Sequence, residues 1–410
     1  MQVGCGSARI TPCLGVYMAG YFDDRFATAV HDDLYAKALV FESAGVRAAL
    51  VSCDVIGVMA ETVARIREQV ESLTGVSGQN VMVATTHTHT GPIPMSSVAA
   101  DGGITARWMD EFPSLVANAV AIASADLESC QAAFGAAHED RIAFNRRYHM
   151  TDGSVRTNPG IRNPDIVKPA GPIDPEVAVV AFRRPRGGNK ALLVNYACHL
   201  DNVGGTELSA DFPGHLATRV AERLEDSPFC LFVNGSCGDI NHIDVTGARH
   251  RHGHEHARWM GETLAGDVCE ALRTAECLAI SSVRVGRAIA RLPTTDDAEG
   301  ADAIEVQAIA LGDLAILGVP AELFVELQLD IKERSPFPRT IVSELTNGCI
   351  DYVPTRKAFE ENMAHVTAER MSGFDHMGYE VRSALSRGYL PGVGEAIADT
   401  AVGVLRDLRG

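Results

Sequence analysis

VMVATTHTHTGP, residues 81–92, runs an apolar, β-prone segment into two histidines and four threonines and then stops at Gly-Pro. Val81 to Thr85 reads as a buried strand, with His87 and His89 standing where it ends. Imidazoles in that place are metal ligands, proton carriers or hydrogen-bonded structural groups, and the triplet alone leaves these open. If the strand continued through them, both rings would share one face. They would then reach one metal, or one would bind it while the other served a substrate.

Working outward, similar apolar runs recur at KALVFES, AALVSCDVIGV, VAVVAF, ALLVNYACH, CLFVNGSCG, AILGVP and RTIVSEL. Helix-like stretches such as AETVARIREQVESL and FPGHLATRVAERLED lie between them. Strands alternating with amphipathic helices predict an α/β protein, a layered sandwich with a central mixed β-sheet flanked by helices on both faces. No internal repeat is visible, and residues 1–410 are expected to form a single catalytic domain. Two excursions, residues 146–175 and 360–378, are candidate lid loops. The first is rich in Pro, Gly and Asn, and the second carries His365, His376 and several methionines. EAIADTAVGVLRDL predicts a closing helix.

A formal charge of -17 works against nucleic acid and anionic membranes as partners. The ten cysteines show no paired zinc-finger or thioredoxin spacing, and most lie in apolar runs as small core residues. The start MQVGCGSARITP lacks the basic-then-apolar pattern of a signal peptide, and no apolar run approaches the ~20 residues of a membrane span. The reading is a cytoplasmic protein acting on a small molecule; its oligomeric state is not legible.

In open α/β sheets ligands bind outside the carboxyl ends of strands. Five such ends here finish in metal-binding or proton-moving groups: His87 and His89, His199, the turn NGSCGDINH, Glu322 after Val319-Pro320, and Tyr352 in NGCIDYVPT. Glu322 opens LFVELQLDIKER, where a carboxylate in a first helical turn would be favoured by the helix dipole without any metal. Asp239 stands in a glycine-punctuated turn, where Asp is common. Asp54 and Asp211 are either carboxylates that orient histidines or turn and cap residues, Asp211 standing directly before a predicted helix. In RHRHGHEHARW, His252 and His256 are four apart, but the glycine and arginines around them predict a solvated loop entering a helix.

Taken together, the landmarks resemble the catalytic domain of the neutral/alkaline ceramidase family. They are VGCGSARITP with MAGY, HDDLYAKALVF, VSCDVIG, VMVATTHTHTGP, FNRR, VNYACH, FVNGSCGDINH, LGVPAELFVEL, NGCIDYVPTRKAFE and GYE, in that order. They cover the chain to about residue 385. The resemblance implies one Zn2+ per chain held by His87, His199, Glu322 and Tyr352. It further implies a pocket in which His89, Arg146 and Tyr379 position or polarise a substrate carbonyl. One departure stands out: the family's serine position holds Asn241, and an amide cannot act as a nucleophile. The family's secreted members carry a leader and an immunoglobulin-like C-terminal domain, neither of which is expected here, so a small water-soluble substrate is expected instead of ceramide.

The chemistry so implied is hydrolysis of an amide bond by a metal-activated water, with His89 the first candidate to protonate the leaving amine. An esterase or lactonase on the same site, and a non-catalytic zinc-binding sensor, are the alternatives.

Overall fold

In the strand Tyr35–Ser43, Leu39 and Phe41 point to one side and Ala38 and Val40 to the other, and all four are fully buried. Burial on both faces is why the strands read as nearly continuous apolar runs instead of alternating ones. The structure, a computed structural model, describes residues 1–94, 103–249, 251–280, 282–295, 303–363 and 378–410. It is a mixed α/β protein with eight helices among the described residues: α1 Ala60–Thr74, α2 Ile104–Ala125, α3 Phe212–Arg223, α4 His254–Arg273, α5 Val325–Arg334, α6 Arg356–Met363, α7 Tyr379–Ser386 and α8 Val393–Arg409.

In place of the expected single central sheet stand three sheets of four or five strands, with five smaller ones of two or three strands among the described residues. The first orders its strands Val81–Thr85, Val46–Cys53, Tyr35–Ser43, Gln2–Arg9 and Glu128–Ser129. The second runs Phe229–Asn234, Asn189–Tyr196, Glu176–Arg183, Gln131–His138 and Glu276–Cys277. The third runs Val283–Arg291, Ala303–Leu311, Leu314–Gly318 and Arg339–Ser343. Their inner faces meet in one core, with Leu39, Phe41 and Leu50 from the first, Val180, Phe182 and Leu231 from the second, and Ile309, Leu311 and Ile316 from the third. Each outer face carries its own helices: Val40 and Val51 pack with Ile66 and Phe112, Val179 and Val194 with Leu216 and Leu264, and Ala310 and Leu317 with Ile331 and Ile397. Helices thus cover one face of each sheet, not both. A strand buried by helices on one side and by another sheet on the other has the same apolar pattern as one sandwiched between helices.

The three sheets also repeat one plan, which the sequence conceals. In each, two antiparallel pairings are followed by a crossover helix, a strand parallel to the third, and a covering helix. The crossovers are α1, α3 and α5, and the covering helices are α2, α4 and α8. The first strand of each unit has a glycine where the covering helix crosses. A Cβ would lie 1.8 Å from the Ala123 carbonyl oxygen at Gly4, 2.0 Å from the Ala271 carbonyl oxygen at Gly135, and 2.8 Å from Leu408 at Gly286. Because the obstacle at Gly135 is helix backbone, Gly135→Ala is expected to displace α4 and destabilise the protein by about 1–3 kcal/mol. Urea unfolding measures this, and an unchanged midpoint would contradict it.

α4 also buries Asp267, whose Oδ2 has no hydrogen-bond partner. Burial, followed by the charge of nearby Glu139, pushes this carboxyl up to about 7. The folded state therefore holds the proton more tightly than the unfolded state does. That contribution to stability is present below the ordinary carboxyl pKa and is lost as pH rises towards 7. Asp267→Asn is expected to raise the melting temperature at pH 7–8 and to lose most of that advantage near pH 4; an equal gain at both pH values would count against it.

Candidate metal centre

Each sheet ends in its parallel pair of strands, Cys53 with Thr85, Tyr196 with Asn234, and Gly318 with Ser343. The segments leaving these six ends converge. The strand before His87 does not continue: His87 is in the left-handed region at φ 72°, with its amide bonded to the Val55 carbonyl. A non-glycine residue there is strained by about 1–3 kcal/mol, and the strain turns the ring inward. His87 and His89 therefore meet through a kink, not through the shared strand face expected. Glu322 likewise precedes α5 instead of lying in its first turn. It forms a two-residue parallel pairing with Tyr352, so residues thirty apart in sequence stand side by side.

His87 Nε2 lies 3.1 Å from His199 Nε2, 3.3 Å from His89 Nε2 and 3.4 Å from Glu322 Oε2. His199 Nε2 is 3.6 Å from Glu322 Oε2 and 3.4 Å from the Tyr352 hydroxyl. His87 Nδ1 donates to the Ile56 carbonyl at 2.7 Å, and His199 Nδ1 to the Cys237 carbonyl at 3.0 Å. With protons on Nδ1, both rings present Nε2 lone pairs to each other and to a carboxylate oxygen that is buried without a hydrogen-bond partner. Acceptors gathered so closely call for a cation. Tetrahedral ligands at ~2.05 Å from a zinc ion are about 3.3 Å apart, close to the separations seen. The residues present fit a metal, and the three histidines form a group that can hold one. His89 Nε2 is as close to His87 as the other donors are, so geometry does not separate it from the ligand set.

The electrostatics agree. Burial works against charging His87, but the Glu322 carboxylate outweighs it and raises the ring to about 9. Burial, then the charge on His87, lowers His89 to about 3. Burial opposes ionisation of Glu322, yet His87 and His199 bring it down to about 2. The cluster favours one positive charge at its centre.

Arg146 is buried and largely committed to the protein: Nε donates to Glu380 Oε1 at 2.7 Å and Nη2 to the Gly238 carbonyl at 2.8 Å. Its guanidinium carbon stands 5.3 Å from the Tyr352 ring centroid. Tyr379 packs edge-on against Tyr352 at 5.2 Å, and burial raises its phenol to about 12. A cavity of about 740 Å³ opens beside the donors; Tyr21, Phe22, Arg156, Asn158, Asp201 and Asp351 lie on its wall, with Arg146 and Tyr379. Those first six were not anticipated, nor was Glu380, although GYE contains it and Asp201 follows His199 at the interval of His87 and His89.

Asp54 and Asp211 do not orient His87 or His199, whose Nδ1 atoms use backbone carbonyls. Asp54 accepts from the Tyr35 amide, and Asp211 caps α3 at Phe212. Asp239 accepts from the Val325 amide at the start of α5. Asn241 lies behind the cavity wall, donating to Asn158 Oδ1 at 3.2 Å. Residues 146–175 are not structureless. They include strands at Arg147–Met150, Val155–Thr157 and Ile166–Pro169, and residues 156–160 line the cavity. Of residues 360–378, the stretch 364–377 with its two histidines lies outside the described residues.

The histidine-rich segment enters α4 at Gly253 as expected, but His256 is buried and stacks on Trp259. His254 meets His31 and Asp32 in a second group of potential ligands. The His31 and His254 rings stack in parallel at 3.6 Å, so their lone pairs do not converge on one ion. The ten cysteines are all free thiols. No described helix is long and apolar enough to cross a membrane.

Fold and donor set define an α/β protein with a candidate mononuclear metal centre at the junction of three sheets. Residues 1–277 match the family described as neutral/alkaline non-lysosomal ceramidase, N-terminal, and the chain belongs to that family. Among solved structures it resembles a ceramidase complexed with C2, at 18% identity and a TM-score of 0.77, over 100% of this chain and 75% of that one. It also resembles the neutral ceramidase from Pseudomonas aeruginosa, at 18% identity and a TM-score of 0.76, over 99% and 75% of the two chains. At that identity the likeness is one of fold. No curated protein matches the chain. Family membership points to amide hydrolysis as the reaction class.

Proposed function

We propose that this chain is a zinc-dependent hydrolase that cleaves the amide bond of a small, soluble N-acyl compound. The observation that carries this reading is the convergence of His87, His199 and Glu322, lone pair against lone pair, at the mouth of a substrate-sized cavity. His87, His199, Glu322 and Tyr352 would hold one zinc per chain. When bound, that ion supplies a Lewis acid for the carbonyl and lowers the pKa of water towards ~7.

The chain's own residues supply the rest. Tyr379, on the cavity wall beside Tyr352, donates its phenolic hydrogen to the oxyanion that develops as the amide carbon becomes tetrahedral. His89 Nε2 takes a proton from the attacking water and passes it to the leaving nitrogen. Its ring is set for this by Tyr21, edge-on at 5.5 Å, and by Gly20, where a Cβ would come within 2.7 Å of the ring. Arg146 positions the Tyr352 phenol and so bears on the carbonyl indirectly. Asn241 takes no part in bond making. Arg156, Asn158, Asp201 and Asp351 make the wall polar, which suits a water-soluble substrate over a lipid. Ten free thiols suit a reducing cytoplasm.

Metal analysis of the purified protein, followed by a hydrolysis screen of N-acyl amines, N-acyl amino acids, esters and lactones, tests the reading. One zinc per chain with turnover confined to amides is expected. A metal-free protein, or turnover of esters and lactones alone, would overturn it.

A further inference from the structure

Glu344 follows the strand Arg339–Ser343 and is completely buried directly behind the metal donors. Its two oxygens grip one residue. Oε2 accepts from the Cys237 amide at 2.8 Å, and Oε1 accepts from the Cys237 thiol at 2.8 Å. The Cys237 carbonyl is the acceptor for His199 Nδ1. Asn234 completes the contact: its Oδ1 accepts from the Cys198 amide at 3.3 Å, and its backbone carbonyl accepts from the Glu344 amide at 3.1 Å. Its Nδ2 approaches Glu344 Oε1 at 3.4 Å and the Thr86 carbonyl, next to His87, at 3.5 Å. The third sheet thus clamps the second at the residue that orients a histidine, and the clamp reaches the first sheet beside another.

We propose that Glu344 is a positioning residue of the centre: by holding Cys237 at amide and thiol, it fixes the carbonyl that sets the tautomer and aim of His199. Gripped at amide and thiol, Cys237 is fixed in place, and its carbonyl, which also accepts from the Ile240 amide at 3.0 Å, is kept against His199 Nδ1. A shift of Cys237 would carry that carbonyl away from His199 Nδ1 and release the direction of Nε2. Outer partners of metal-binding histidines typically govern affinity in this way.

The inference rests on the metal-centre reading, and one set of measurements tells the two failures apart. Metal affinity is measured by competition with a chelator, and the ligand field by the visible spectrum of the cobalt(II)-loaded protein. Glu344→Ala is expected to weaken metal binding about 10–100-fold and to alter the cobalt spectrum. Glu344→Gln, which keeps an acceptor for the Cys237 amide, is expected to recover most of the affinity. A clamp that only stabilised the fold would lower the melting temperature and leave spectrum and stoichiometry unchanged, which would overturn the proposal. Should the alanine variant fail to fold, Glu344→Asp carries the test, because it keeps the carboxyl group and withdraws the oxygens by one methylene. Wild-type affinity and spectrum in that variant would overturn the proposal equally. A wild-type chain that takes up neither zinc nor cobalt would remove the metal centre itself, and this inference with it.

Discussion

Replacing His199 by alanine is expected to empty the centre of metal and to lower amide turnover about 10³–10⁴-fold in kcat/KM, since the ligand set and the polarising charge are lost together. The ring is fully buried, its Nε2 lies 3.1 Å from that of His87, and its Nδ1 is held by the Cys237 carbonyl. Without it, His87, Glu322 and the weakly donating Tyr352 phenol remain around a void where one imidazole ligand stood, and the zinc ion is expected to be lost to a chelator. Truncation also removes one of the two donors to the Cys237 carbonyl, which keeps the Ile240 amide at 3.0 Å, at a cost of about 1 kcal/mol in stability. The folded fraction must therefore be measured alongside metal content. A folded variant that keeps one metal per chain and wild-type kcat/KM would remove His199 from the centre.

The second large effect is on stability. Arg146→Ala is expected to cost about 3–5 kcal/mol, because it leaves the Glu380 carboxylate buried without its closest cation. Both side chains are almost wholly buried, and Glu380 Oε1 sits 2.7 Å from Arg146 Nε. Thr157 donates to Glu380 Oε2 at 2.6 Å, and Arg147 stands 4.0 Å away, so compensation is partial at best. The pair ties the cavity segment around Thr157 to the start of α7, which carries Tyr379. The loss should thus appear both in the denaturant midpoint and in turnover. Adding Glu380→Met to Arg146→Met should restore much of the stability, since an apolar pair carries no unpaired charge, but it should not restore activity. A single variant as stable as wild type would mean that the pair is screened by water.

Different parts of this protein were legible to different degrees. The strand ends could be found because apolar runs finishing in His, Glu or Tyr stand out locally, and helices α1, α3, α5 and α8 announced themselves by period. Asp211 was readable as a cap for the same reason. Arg146 was legible as a pocket residue, but not as one already engaged: its partner Glu380 is more than two hundred residues away, and no local pattern links them. Glu344 gave no signal at all, because a glutamate after a strand is usually solvated. The threefold plan was invisible because sheet topology depends on which positions are apolar, not on which amino acids fill them, and the three units fill them differently.

By itself, then, the sequence determined the α/β class, the strand-end placing of the donors and, through a series of motifs in fixed order, the family. Each of these rests on neighbours within a few residues, where periodicity and turn chemistry act. Only the tertiary structure decided that three sheets share one core, that His87 turns inward through a left-handed kink, and that His89 stands as close to the centre as the other donors. Those outcomes follow from long-range packing, in which chain segments a hundred or more residues apart exclude water from one another, and local patterning carries no record of which segments will meet.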